Sequence, residues 1–254
     1  MTTTNRKTIE ANEIAFYEEI YKNEAYNPTG NRLRLNREIN SLKKLSGLKK
    51  FNRVLSIGCG HGEFELLLAP HAEHITAVDL SSDAIELAKR NQSKADITNV
   101  DFRCQSFNDI SWDEHFDVIT CIAFLHHVPK SKLLNFLKQA YNHLSPNGFF
   151  YSQDPNIHGI LRTVGRLILG KNYDKYHTPD ERELDPKEMI DLFKKVGFNP
   201  VNISYMDLTL IPGLYMFTRG LGWLMHLFLL TDSIWQKTLF SRWASGFAMI
   251  GWKK

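Results

Sequence analysis

Three glycines, Gly58, Gly60 and Gly62, stand at alternate positions directly after the β-type run Val54-Leu55-Ser56-Ile57. Glycine serves where backbone must turn tightly and approach a ligand with no Cβ in the way. The third glycine of a dinucleotide fingerprint GxGxxG would fall at Glu63, so the loop points away from NAD and FAD. Asp79, 17 residues after Gly62, closes a second β-type run, where a carboxylate can accept hydrogen bonds from both hydroxyls of a ribose. It could instead cap the next helix, although Ser81, Ser82 and Asp83 supply caps of their own. His126 and His127 follow a fourth run, where an imidazole could take a proton, orient a reacting atom or only pack at a strand end. On an extended backbone the two would point opposite ways, so one of them faces a ligand. Asp154, ahead of Pro155 and Asn156, is a further candidate. Two oxygens without a third make a poor magnesium site, and an Asp-Pro turn explains them as well, so no metal is expected.

These residues need a scaffold that gathers strand ends. From Val54 onward, β-type runs (Val54–Ile57, Ile75–Asp79, Val100–Cys104, Phe116–Ile122, Phe149–Gln153) alternate with helical patterns such as Leu133, Leu137, Ala140 and Leu144. The cluster Ser145-Pro146-Asn147-Gly148 ends that helix in a turn. Met189, Leu192, Phe193 and Val196 pattern a later helix ended by Gly197, followed by strand-like runs Val201–Asp207 and Phe247–Trp252. Strands spaced by helices require a parallel sheet with right-handed crossovers, hence an open α/β fold. Segments 1–50, 156–184 and 208–243 lie outside the alternation. They are expected to cover the cleft at the carboxyl ends of the strands, where such sheets place ligands.

Length and composition set outer bounds. The 254 residues suffice for a sizeable core, 43% hydrophobic content excludes a disordered chain, and nothing marks a second domain. A net charge of +3 names no polyanionic partner. Three cysteines without CxxC or zinc spacing fit a reducing, cytoplasmic compartment, and the polar first residues lack the apolar run of a signal peptide. Ile211–Leu230 has the length of a membrane span but holds Pro212, Arg219, His226 and three glycines, so it reads as a buried or surface helix.

Taken together, VLSIGCGHG (54–62), ITAVDLS (75–81), FDVITCIAFLHHV (116–128) and LSPNG (144–148) resemble, in order and spacing, the class I S-adenosylmethionine-dependent methyltransferases. The resemblance covers roughly residues 45–155. It implies a Rossmann-like α/β fold: a seven-stranded, mostly parallel sheet with helices on both faces, here with helical lid inserts. It also implies an enzyme with S-adenosylmethionine as cofactor. The glycine loop (Gly58, Cys59, Gly60, Gly62) would lie against the methionine part, Asp79 and Leu80 would hold the ribose, Ser106 and Phe107 would frame the adenine, and Ile122 would also contact the cofactor. His127 is the favoured residue near the acceptor, with His126 and Asp154 beside it; Tyr17 and Tyr21 would cover the cofactor or pack on the core. Two positions depart from the family pattern. Ser56 stands where an acid precedes the glycine loop, and Ser106 where an acid meets the adenine amino group, unless Asp109 takes that role. A serine accepts hydrogen bonds without charge assistance, which implies weaker cofactor binding, or a catalytically silent descendant.

The acceptor is read from the inserts. Motifs of nucleic-acid methyltransferases and any basic extension are missing, so no nucleic-acid partner is expected. Ile157, Ile160, Leu161, Val164, Leu167 and Ile168 share one helical face, with Arg162, Arg166 and Lys171 adding charge without a nearby acid, and segment 208–243 is apolar nearly all round. A helix of that kind is buried, pairs with another or meets lipid. The expectation is a small, hydrophobic or lipid-like acceptor, as for methyltransferases of quinone and lipid biosynthesis, with peripheral membrane contact. A closed lid or dimer interface, a polar natural product or sugar acceptor, and a noncatalytic cofactor-binding or membrane-associated protein stay open.

Overall fold

The computed structural model describes residues 28–111, 113–169, 182–208 and 222–254. Seven strands form one sheet: β1 (Phe51–Ile57), β2 (Ala72–Asp79), β3 (Val100–Cys104), β4 (Phe116–Ile122), β5 (Leu144–Pro155), β6 (Val201–Met206) and β7 (Gly246–Trp252). Their spatial order is β3-β2-β1-β4-β5-β7-β6. β1 to β5 pair in parallel, with Val54 beside both Ile75 and Val118, whereas β7 runs antiparallel between β5 and β6. This is the expected Rossmann-like sheet. The chain reverses direction across it between β1 and β4, and ligands of open α/β sheets sit at that switch point.

Apolar residues on both faces of the strands call for helices on both sides. On one side, Leu35, Ile39 and Leu42 of α1 (Pro28–Ser46), Phe64 and Leu68 of α2 (Glu63–Leu68), and Ile85 and Ala88 of α3 (Ser82–Lys94) pack on Val54, Ile75 and Ala77. On the other, Leu133, Leu137 and Ala140 of α4 (Lys130–His143) and Met189 and Phe193 of α6 (Pro186–Val196) cover Leu55, Ile57 and Ile119. Each such side chain, fully buried, stabilises the fold by roughly 1.5–3 kcal/mol. Local chemistry fixes the helix ends. Ser81 caps α3 by accepting from the Ala84 amide, Asp185 caps α6 through the Lys187 amide, and Gly197, at φ 117°, ends α6 in the left-handed region.

One boundary differs from the sequence expectation. The 145–148 cluster is not a loop between α4 and the fifth strand but the irregular opening of β5 itself. Leu144 pairs with Phe116, the register then shifts, and Phe149 pairs with Val118, with Asn147 at φ 62° taking up the extra length.

The inserts follow β5 and β6. α5 (Ile160–Leu169) comes after β5, and α7 (Gly222–Trp235) comes after β6. Tyr17, Tyr21 and Lys171 lie outside the described residues. Arg37 of α1 pairs with Asp207 at the end of β6, with Asp232 of α7 at 3.2 Å and with its neighbour Glu38 at 3.5 Å, so one guanidinium joins α1, β6 and α7. Burial opposes that charge, but the surrounding acids outweigh it and hold Arg37 above its ordinary pKa. The expectation of unpaired basic charge on α5 is corrected: Glu183 accepts from Arg162 at 3.4 Å and Arg166 at 2.8 Å. The acid lies far along the chain and reaches α5 only because Leu184 pairs with Asn156 beside the end of β5. Among the described residues, no helix is long and apolar enough to cross a membrane.

Candidate functional site

The loop from Gly58 to Gly62 leaves the carboxyl end of β1 and turns into α2. Gly58 (φ 73°), Gly60 (φ 50°) and Gly62 (φ 75°) all have left-handed backbones. A Cβ at Gly58 would stand 2.3 Å from the Phe124 ring and one at Gly62 2.5 Å from Phe102, so close approach as well as backbone geometry requires glycine. Asp79 locks the loop: one carboxylate oxygen accepts from the Gly60 amide at 2.8 Å and the other from the Ser81 amide at 3.0 Å. The cap of α3 is Ser81, not Asp79. Each Asp79 oxygen keeps acceptor capacity for a further donor. Burial, together with Glu65 and Asp79, pushes the Cys59 thiol up, so Cys59 is a neutral part of the loop.

The rest of the expected cofactor side is arranged unevenly. Leu80 is exposed beside Asp79. Ser106 accepts from the Asn108 amide at 3.3 Å and from its side-chain nitrogen at 3.2 Å, which caps a short turn over Phe107–Asp109. The Phe107 ring faces the core, against Phe136 at 4.9 Å, while Asp109 is exposed. Ile122, half-buried at the end of β4, packs with the α1–α3 side of the core.

On the other side of the switch point, β4 is followed by Ala123, whose φ of 53° is a strained backbone for a residue with a Cβ. Leu125–His127 form one turn of 3-10 helix. The two histidines therefore do not point opposite ways as an extended backbone would make them; their rings lie 4.1 Å apart. His126 is buried, with its amide and its Nδ1 both 3.0–3.2 Å from Asp154 Oδ1. His127 is the less buried of the two. Burial pushes Asp154 up to about 8, against the opposing pull of the His126 amide, His127 and Arg182. At neutral pH Asp154 is therefore poised to carry a proton, with Oδ2 lacking a hydrogen-bond partner among the described residues. Asn156 is not placed as a metal ligand. Its amide nitrogen donates to the carbonyls of Arg242 and Ala244, and its oxygen accepts from the His158 amide.

Several contributors were not visible in the sequence. Gln153 Oε1 and two guanidinium nitrogens of Arg182 are buried without hydrogen-bond partners among the described residues, and the Arg182 amide donates to the His126 carbonyl. Phe124 walls the glycine loop. Only strand-end position could have pointed to Gln153 and Phe124, and nothing local marks Arg182.

The glycine loop, the strand-end acid and the histidine turn thus stand at the switch point of the sheet, where open α/β folds place ligands. A family model described as a methyltransferase domain matches residues 31–203, and the chain belongs to the class I S-adenosylmethionine-dependent methyltransferases. The chain is 33% identical over 118 residues to a ubiquinone biosynthesis O-methyltransferase of Coxiella burnetii, covering 45% of this chain and 49% of that protein. It thus spans about half the length of that curated relative. A protein described in the same words from Marinobacter nauticus is 26% identical over 248 residues, covering 87% of this chain and 97% of its own. Among solved structures, a magnesium protoporphyrin IX methyltransferase from Synechocystis with bound S-adenosylhomocysteine superposes with a TM-score of 0.64 at 13% identity, covering 99% of each chain. That likeness is one of fold.

Proposed function

We propose that this chain transfers a methyl group from S-adenosylmethionine to a small apolar acceptor, a quinone- or lipid-like molecule taken up at a membrane surface. The observation that carries the acceptor class is the apolar surface around the carboxyl ends of β5 and β6. Ile157, Ile160 and Leu167 beside α5, and Leu230, Ile234, Trp235, Leu239, Phe240 and Trp243 from α7 to β7, all stand exposed. Trp235, Phe240 and Trp243 form a chain of rings 5.4–5.7 Å apart. Exposed aromatic and aliphatic side chains in one region mark a surface that meets lipid or another protein. The relatives named for ubiquinone biosynthesis support an acceptor of that chemistry.

The residues fit the cofactor. Gly58 to Gly62 give a bare backbone for its methionine end, Asp79 and Leu80 flank its ribose, and Ser106, with the backbone at Phe107 and with Ile122, borders its adenine. When bound, S-adenosylmethionine supplies a methyl group made electrophilic by sulfonium. The chain's part is to hold the acceptor in line and exclude water. His127 would accept the acceptor's proton, with His126 and the proton-bearing Asp154 fixing the turn it stands on.

The test is incubation of the protein with methyl-labelled S-adenosylmethionine and a lipid extract, followed by phase separation. Label in the organic phase is expected. Label confined to water-soluble metabolites would replace the apolar acceptor with a polar one, and no incorporation would leave a cofactor-binding protein without transfer.

A further inference from the structure

The resemblance left a gap at the end of β1, where Ser56 stands in place of an acid. The structure has a carboxylate there all the same. Glu65, in α2 and 2% exposed, turns back under the glycine loop, and its Oε1 accepts from the Ser56 hydroxyl at 2.5 Å. Its Oε2 is buried without a hydrogen-bond partner among the described residues. An ionised carboxylate in such a place costs several kcal/mol unless it is paired. Burial pushes Glu65 up to about 7 against the Ser56 hydroxyl and its own backbone amide, which favour the charged form, while the charges of Asp79 and Glu63 add smaller upward pushes. The same field reaches the loop, since Glu65 contributes to raising the Cys59 thiol. A buried acid set among acids beneath a bare-backbone loop suits a ligand that brings its own cation.

We propose that Glu65 binds the α-ammonium of the cofactor's methionine end, supplying from α2 the negative charge that Ser56 does not supply from β1. The inference rests on the methyltransferase reading above. It assigns a binding residue at a sequence position outside the motif that carried the resemblance. Ser56 becomes the positioning residue that holds Oε1, so that Oε2 is the oxygen presented to the ammonium.

Calorimetric titration of the full chain with two probes tests it. S-adenosylhomocysteine carries the ammonium, and 5′-methylthioadenosine shares the adenosine and sulfur but lacks the amino acid. Glu65→Gln is expected to weaken S-adenosylhomocysteine at least tenfold and to leave methylthioadenosine within twofold. The exchange Ser56→Asp with Glu65→Ser, which returns the charge to the strand, is expected to recover most of the lost affinity. Equal weakening of both probes, or of neither, overturns the proposal. Should Glu65→Gln fail to fold, the exchanged variant decides: binding methylthioadenosine but not S-adenosylhomocysteine overturns it, and binding both in the wild-type ratio supports it. A wild-type protein that binds neither probe removes the methyltransferase reading itself, a different result from loss of discrimination.

Discussion

Replacing Arg37 by Met tests how the α7 cover is fastened. Arg37 is 15% exposed and faces three acids, of which Glu38, Asp207 and Asp232 are nearly or wholly buried. Methionine keeps the length of the stem and removes the charge, leaving those carboxylates without their shared cation. Removing one partner of a buried ion pair costs about 3–5 kcal/mol. That is a large share of a domain stability of about 5–15 kcal/mol. With a urea slope of about 2 kcal/mol per molar, the midpoint should fall by roughly 2 M. The loss should also depend on pH. Glu38, which burial already holds up at about 7, takes up a proton more readily in the folded than in the unfolded chain, which relieves part of the penalty in acid and restores it as pH rises. Urea unfolding followed by circular dichroism at pH 5.5 and 8.0 measures both effects, the larger deficit being expected at pH 8.0. A deficit under about 1 kcal/mol, the size of a surface pair, or one equal at both pH values, refutes the account.

Further perturbations separate the two halves of the site. Asp79→Ala removes the acceptor of the Gly60 and Ser81 amides and should weaken S-adenosylhomocysteine by about 1.5–3 kcal/mol, roughly 10- to 150-fold; unchanged affinity in calorimetry would reject its role. His127→Ala should lower turnover by about 100-fold or more with cofactor affinity nearly intact, as for loss of a proton acceptor, and parallel loss of both would mark a packing histidine. Wild-type stability should decline between pH 6.5 and 8. Burial raises Glu38 and Glu65 to about 7 and Asp154 to about 8, so each contributes stability below its unfolded pKa that is lost as pH rises through its folded value. Each group adds a slope of at most about 1.4 kcal/mol per pH unit. His61 and His71, lowered by burial, act in the opposite sense, but only below their unfolded pKa of about 6.5. A denaturation midpoint that rises across pH 6.5–8 would contradict this.

Where the chemistry is periodic, the sequence is a good guide. Val100–Cys104 and Phe116–Ile122 are strands over the expected residues: the edge strand alternates buried Val100 and Phe102 with Asp101 and Arg103, and the inner one is buried over Val118–Cys121. Gly58, Gly60 and Gly62 were legible because left-handed backbone leaves little choice of residue. Contacts closed by tertiary folding were not legible. Nothing near Ser56 indicates that Glu65 turns back to it, since the bond depends on the loop reversing between them. Glu183 lies 17 residues from Arg166, across a segment with no readable pattern. The histidine turn is illegible for a local reason: a single 3-10 turn is too short to leave a period, so the sequence suggests alternation where the two rings lie side by side, tilted by 42°.

The strand order has a consequence for how such a protein can change. β1, β2 and β3, with the glycine loop, Asp79 and Ser106, occupy one side of the sheet and one continuous stretch of chain, and β4 to β7 with both covers occupy the other. Among the strands, the boundary in space is the boundary in sequence. Substitutions, insertions or even an exchanged segment after Phe116 can reshape the proposed acceptor side while the Asp79 hydrogen bonds that fasten the glycine loop stay within the first half. The molecule is divided like a tool with a fixed handle and a replaceable bit, joined along the β1–β4 ladder of Val54 with Val118, Leu55 with Ile119 and Ser56 with Thr120.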